Sequence, residues 1–241
     1  MKRTERRHLK ENELTTLAKT ARRAVEERRR PLVSFIVALL VLGFVAVGYL
    51  AWRGQVNRRA DTLLAEALAI EGARVGPPAA PGAPSVGLRF PTEPEKLQAL
   101  AAKFKAAADQ YPSTDAGLFA RYREAATLMA LGNHADAAQS YQLVVDRAGD
   151  GIYGHMARLG LAEAQARTGQ YDSAINTYKQ LAEQRDGPLP VDAILMQLGR
   201  TYLDAGKLSD AEQAFSQLLK EFPNSPFNTD ARRELDSLKK S

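Results

Sequence analysis

Cysteine is absent from the 241 residues of this chain. Its absence excludes a disulfide framework, a thiolate metal site, a cysteine nucleophile and the acylated cysteine of a lipoprotein. A chain without thiols is compatible with an oxidising compartment and does not require one. Histidine is also scarce, since the sequence has only His8, His134 and His155, which are far apart. We expect His155 to be exposed, because it stands where a helical hairpin begins.

The sequence patterns of common catalytic sites are missing as well. The chain has no HExxH pair, no Walker loop, no Rossmann glycine pattern and no recognisable Ser-His-Asp set. Aspartate and glutamate are spread along the chain without the clustering of a metal site. We therefore expect a protein that is not an enzyme and that has no catalytic, cofactor-binding or metal-binding residues.

One long apolar run stands near the start of the chain. Residues 32–52 read LVSFIVALLVLGFVAVGYLAW, 21 residues without charge or proline. As a helix, this length spans a hydrocarbon core of about 30 Å. The alternative is a cleaved signal peptide, whose apolar part is shorter, roughly 7–15 residues. Because the run ends in the interfacial residues Tyr49 and Trp52, we predict an uncleaved transmembrane signal anchor over residues 31–52, in contact with membrane lipid.

The charge distribution predicts the orientation. Residues 1–30 carry 11 lysines and arginines against 5 glutamates, a net charge of +6 (11 − 5), whereas the whole chain carries +5, so the remainder carries −1. Cations beside a spanning helix stay on the cytoplasmic side. We therefore expect a basic cytoplasmic head, a soluble body across the membrane, and no nucleic-acid partner for that body.

Two segments follow the apolar run. Residues 53–75 have helical periodicity and form a predicted juxtamembrane helix. Residues 76–94 contain six prolines, from Pro77 to Pro94, and are predicted to be a loop. From Glu95 onward the periodicity is helical and strand signals are absent.

The remainder of the chain repeats itself. Gly132, Gly169 and Gly206 are 37 residues apart, twice. Each glycine precedes an alanine, an aromatic and an aliphatic residue at fixed spacing: Ala137, Tyr141 and Val144; Ala174, Tyr178 and Leu181; Ala211, Phe215 and Leu218. A period in the thirties indicates stacked helical hairpins. The glycine ends the first helix, the alanine allows close helix contact, and the aromatic fills the space between hairpins.

These three repeated segments resemble the tetratricopeptide repeat. The third fits best, with Leu198, Gly199, Tyr202, Gly206, Leu208, Ala211, Phe215, Leu218 and Pro223 at the family's signature spacings. The second departs at Gln165 and Asp186, and the first at Glu124 and at His134, which stands where an aromatic is usual and is explained by packing.

The resemblance implies an all-α protein, with one N-terminal transmembrane helix followed by an α-solenoid. The repeat domain would cover 95–241: a half repeat, repeats near 118–151, 155–188 and 192–225, and a capping helix over 227–238. Residues 53–75 would supply the first helix that the half repeat lacks.

The resemblance also implies a concave groove lined by the first helix of each hairpin. Carrying over the family's positions gives a protein-binding groove of Phe119, Tyr122, Met129, Met156, Leu159, Glu163, Arg167, Met196, Arg200 and Leu203, with Ala126, Ala130, Ala166, Ala193 and Asp204 beside them. Methionine suits varied apolar partners. Two interpretations stay open: the groove accepts a peptide, or a neighbouring element such as residues 53–75 fills it as core.

The complete arrangement resembles the YfgM-like ancillary subunits of the bacterial SecYEG translocon. This resemblance implies a single-pass protein of the bacterial inner membrane, with a cytoplasmic N terminus and periplasmic repeats. Its partners would be translocon subunits, a periplasmic chaperone of the peptidyl-prolyl isomerase type, and emerging secreted chains. The long basic head and the proline-rich insertion depart from that family. Two alternatives are an envelope-assembly or division scaffold that binds folded partners, and a self-associating structural protein.

Overall fold

The computed structural model describes residues 3–77 and 87–239, with side chains from residue 33 onward. This part of the chain is almost entirely helical. Its elements are α1 (Arg3–Glu71), β1 (Arg74–Val75), β2 (Arg89–Phe90), α2 (Glu93–Gln110), α3 (Asp115–Ala130), α4 (His134–Ala148), α5 (Ile152–Arg167), α6 (Tyr171–Glu183), α7 (Val191–Asp204), α8 (Leu208–Glu221) and α9 (Asn228–Leu238). The predicted fold class, a long apolar N-terminal helix followed by an α-solenoid, is confirmed.

The chain divides into two compact units, Met1–Gln55 and Val56–Ser241. The described side chains of the first unit begin at Val33, and the large apolar ones are exposed, with Phe44 81 % accessible. The rings of Tyr49 and Trp52 lie 6.1 Å apart at the end of that run. Within the described residues, this helix contains the one segment that is long and apolar enough to cross a membrane.

The predicted helix over 53–75 has no separate start. It is the end of α1, which continues without a break through the apolar run and stops at Glu71, four residues earlier than expected. Residues 32–71 contain no proline, and Gly54 alone does not break a helix. Gly72 follows α1, and its amide donates to the carbonyl of Leu68 at 3.2 Å.

The ends of the proline-rich segment are more ordered than a loop, whereas residues 78–86 of this prediction lie outside the described residues. Strands β1 and β2 pair in parallel, with Arg74 opposite Arg89 and Val75 opposite Phe90. Prolines lack the amide that a ladder needs, so Pro77 and Pro91 confine the pair to two residues. Helix α2 also begins at Glu93, inside the predicted loop, because proline is tolerated in a first helical turn and Thr92 accepts a hydrogen bond from the amide of Glu95.

Residues 56–71 of α1 pack against α2. Ala67 and Ile70 belong to one core cluster with residues of α2 and α3: Leu100, Phe104, Ala107, Ala108 and Ala120. Lys103 of α2 forms an ion pair with Glu66 at 3.0 Å, and Arg123 of α3 forms one with Glu71. The end of α1 therefore acts as the first helix of the first hairpin.

Three hairpins, α3–α4, α5–α6 and α7–α8, continue the stack, and α9 packs on α8 at its end. Gly132, Gly169 and Gly206 join the helices of each hairpin with φ of 78°, 78° and 71°, a conformation that favours glycine. The three alanines of the repeat, Ala137, Ala174 and Ala211, are completely buried. Both features follow the steric roles predicted from the sequence.

Aromatic rings lie directly on glycine backbone in two places. Tyr141 of α4 covers Gly160 of α5, and Phe215 of α8 covers Gly199 of α7. A Cβ atom added at either glycine would overlap the ring. The tyrosine joins successive hairpins, while the phenylalanine joins the two helices of one hairpin.

The first repeat replaces an apolar pairing with buried charge. Glu124 is 4 % exposed, and its Oε2 accepts a hydrogen bond from Nη1 of the buried Arg121 at 2.6 Å. Arg121 also pairs with Asp109 of α2. Burial raises the pKa of Glu124, against the opposing effect of Arg121. The hydrogen bond from Arg121 lowers the pKa of Asp109.

We expect Gly199→Ala to destabilise the protein by about 1–3 kcal/mol, the usual cost of overpacking a core. In an unobstructed helix the same change stabilises by roughly 0.5–1 kcal/mol. Urea denaturation of the full chain in detergent measures the difference. Adding Phe215→Leu creates space and should recover part of the loss; a double variant as unstable as the sum of the single ones would contradict the steric explanation.

We expect Arg121→Ala to cost about 3–5 kcal/mol near neutral pH, because it leaves the Glu124 carboxylate buried without its partner. Replacing both residues, as Arg121→Met with Glu124→Leu, removes the buried charge and should cost much less. The same urea measurement compares the two. Equal losses in both variants would show that Arg121 acts by packing and not by neutralising Glu124.

Candidate protein-binding groove

The ten predicted groove residues lie on α3, α5 and α7, the first helices of their hairpins. Neighbouring first helices contact each other, α3 with α5 and α5 with α7, as a concave face requires. The residues nevertheless have three different environments. Some form an aromatic cluster, some line a charged recess, and one lies in the core.

The aromatic cluster is at the α3–α5 part of the face. The ring of Phe119 lies 5.8 Å from that of Tyr153, and Tyr122 lies 5.8 Å from Tyr141 and 6.5 Å from Tyr153. Phe119 and Tyr122 are half-buried. Burial raises the pKa of the Tyr122 hydroxyl. The cluster offers apolar faces with polar edges to a partner.

The three predicted methionines are not equivalent. Met129 and Met156 are half-buried, whereas Met196 is completely buried and belongs to a core cluster with residues of α5, α6, α7, α8 and α9. Met196, predicted to line the groove, therefore has no surface available to a partner. Helix α7 has apolar residues on most of its circumference, because it packs against α6, α8 and α5, and the helical period does not distinguish its groove side from its core side.

The charged recess lies between α5, α7 and α9 and has a volume of about 380 Å³. Four of the predicted residues meet there: Glu163, Arg167, Arg200 and Leu203. The neighbouring positions Ala166 and Asp204 also line it, together with Tyr178, Gln197, Thr201 and Glu234. Burial raises the pKa of Tyr178, with the nearby carboxylate of Glu163 adding to the effect. Leu159, one turn before Glu163, is half-buried and packs against the core.

Residues 53–75 do not fill this recess. None of the residues that line it belongs to α1, whose end packs instead with α2 and α3. The described residues therefore leave the recess open to solvent. A peptide reaching it from solution would meet both carboxylates and guanidinium groups.

Several features of this face are absent from the prediction. Tyr153 stands three residues before Met156 on α5, so helical spacing could have placed it in the groove. Glu234 comes from the capping helix, and Tyr178 reaches the recess floor from a second helix, α6. His155, expected to be exposed, is 8 % exposed, because α5 begins at Ile152 and packs its first turns against the end of α4. Among residues 33–77 and 87–239, no group of three or more His, Asp or Glu side chains is placed to hold a metal ion.

Comparison with known proteins identifies the repeats. The tetratricopeptide-repeat family model matches residues 122–190, 159–226 and 196–235. These hairpins are therefore tetratricopeptide repeats, a fold that generally serves as a non-catalytic scaffold for protein interaction. A comparison with curated protein sequences gives no match.

Solved structures share the fold at low sequence identity. A Podosopora anserina protein assigned as a kinesin light chain, with nearly identical TPR-like repeats, is 16 % identical, covers 61 % of this chain and 78 % of its own, and has a TM-score of 0.54. BtubC from P. vanneervenii is 15 % identical, covers 61 % of this chain and 71 % of its own, and has a TM-score of 0.51. Both similarities concern the helical solenoid only.

The difference between Leu203 and Met196 can be tested by thiol labelling, since the chain has no native cysteine. We expect Leu203→Cys, at the recess, to react with a maleimide in the folded protein. Met196→Cys should react only after denaturation, because its side chain is completely buried. Mass spectrometry of the labelled full chain measures both. Rapid labelling of Met196→Cys in a variant with native thermal stability would place that side chain on the surface.

Proposed function

We propose that this chain is a single-pass protein of the bacterial inner membrane whose tetratricopeptide repeats bind proteins in the periplasm. In this proposal it is an ancillary factor at the translocon. Its partners are translocon subunits, a periplasmic chaperone and secreted chains as they emerge. The membrane contact is through α1, and the protein contact is through the groove of α3, α5, α7 and α9.

One observation carries the proposal: a single helix, α1, contains the exposed apolar run and also contributes Ala67 and Ile70 to the core of the first hairpin. The side chains of 33–52 are exposed to solvent, which is costly unless lipid covers them. The net charge of +6 before that run and −1 after it supports a cytoplasmic head and a periplasmic body.

The open groove supports a binding role for the body. Its aromatic cluster and charged recess are both accessible, and tetratricopeptide repeats bind other proteins. The translocon as the location comes from the resemblance to the YfgM-like architecture. A scaffold for folded envelope proteins and a self-associating protein use the same surfaces in different ways, so the choice among them depends on partner identity.

We expect opposite accessibility of two single cysteines. Thr4→Cys in the head should resist a membrane-impermeant maleimide in cells with a permeabilised outer membrane, and react after detergent lysis. Ser216→Cys, exposed on α8, should react without lysis. Labelling of Thr4→Cys in unlysed cells, with Ser216→Cys protected, would reverse the proposed orientation.

Partner identity is tested by in-cell photo-crosslinking from Met156, Leu159 and Leu203, with Ser216 on α8 as the matched exposed control. Translocon subunits together with many unrelated secreted proteins, captured from the groove and not from Ser216, are the expected result. Capture of one or two folded envelope proteins would support the scaffold alternative. Crosslinks only between copies of this chain would support self-association.

A further inference from the structure

We propose that the recess between α5, α7 and α9 binds an extended polypeptide segment whose side-chain charges follow the order positive, negative, positive. The inference deepens the proposed function, on which it rests in taking a polypeptide as the ligand. Within a secreted chain, the recess would select hydrophilic segments of alternating charge in preference to apolar segments.

The recess presents charges of alternating sign across three helices. Glu163 is on α5, Arg200 on α7 and Glu234 on α9, and all three line the same cavity. Glu163 and Arg200 are 37 residues apart, one full repeat, and therefore hold equivalent positions on neighbouring parallel helices. A segment that crosses the helices meets a negative, a positive and a negative side chain in turn.

These charges are largely available to a ligand. Within residues 33–77 and 87–239, Glu163 and Glu234 form no side-chain ion pair, although opposite charges line the same recess. Arg200 pairs with Asp230 of α9 at 3.6 Å, and both side chains remain 42 % exposed. An exposed pair at that distance contributes little stability, so a ligand carboxylate can compete for the guanidinium.

A second row of charges fixes the register. Arg167 and Asp204 are also one repeat apart and line the same recess, each four residues beyond Glu163 and Arg200. Their signs are reversed relative to the first row. A segment displaced by one helical turn, about 5.4 Å, would therefore meet like charges.

The spacing fits an extended chain. Packed helices lie about 8–10 Å apart. A polyproline II segment places every third residue on the same face and advances roughly 9 Å over those three residues. Its backbone forms no internal hydrogen bonds, and the half-buried Gln197 offers a polar side chain on the lining. The matching sequence is Lys-x-x-Glu-x-x-Lys.

Two labelled peptides of identical composition test the charge order, with the full chain in nanodiscs. One carries Lys-x-x-Glu-x-x-Lys and the other Lys-x-x-Lys-x-x-Glu, with the same alanine and proline residues between. We expect the first to bind more tightly by roughly two- to fivefold, the effect of an exposed ion pair. We expect Arg200→Glu to remove this preference, whereas Lys220→Glu, a charge reversal on the exposed surface of α8, should leave it unchanged.

Equal affinity for the two peptides, or tighter binding of a leucine-containing peptide of the same length, would overturn the inference. So would a preference that persists in Arg200→Glu at native thermal stability. These results are independent of partner identity in the cell. Groove crosslinks to secreted chains without any charge-order effect would support the proposed function and contradict the inference. A charge-order effect without groove crosslinks to secreted chains would contradict the proposed function.

Discussion

Close contact between an aromatic ring and a bare stretch of backbone is the constraint on which this solenoid depends. A helical hairpin has too little apolar surface to form its own core, so each must seat against the next. Tyr141 does this by lying on Gly160, whereas Phe215 joins the two helices of the last hairpin by lying on Gly199. The buried alanines allow the helices to approach that closely. The candidate groove and the core therefore share the same helices.

The groove has two chemical characters along its length. Near α3 it offers aromatic rings, and between α5, α7 and α9 it offers charges of both signs. This division explains how one surface could hold a polypeptide without relying on apolar contact alone. The buried pair of Arg121 and Glu124 adds a polar element to the core of the first repeat, where apolar packing would be simpler. Such a pair is weak evidence for stability, since burying two charges costs about as much as their attraction returns.

The repeats were predictable because their steric requirements have few solutions. A glycine with positive φ, a completely buried alanine and a ring between hairpins can be predicted from the sequence, and Gly132, Ala137 and Tyr141 occupy those roles. The groove was less predictable. Leu159 and Met196 are 37 residues apart and hold equivalent repeat positions, yet Leu159 is half-buried and Met196 is completely buried, a difference that the repeat spacing does not reveal. The strands were missed because two residues form no pattern, and their pairing depends on where α1 and α2 meet.

The boundary between the two compact units falls inside a helix, after Gln55, and not in the proline-rich segment that composition would suggest. Residues as far along as Ala67 and Ile70 belong to the core of the first hairpin. The proline-rich segment is therefore not a boundary at which the apolar segment and the solenoid can be exchanged independently. Recombination between relatives within 76–94 would combine one protein's first helix with another's second and mismatch their core. An exchange near residue 55 would keep that hairpin intact.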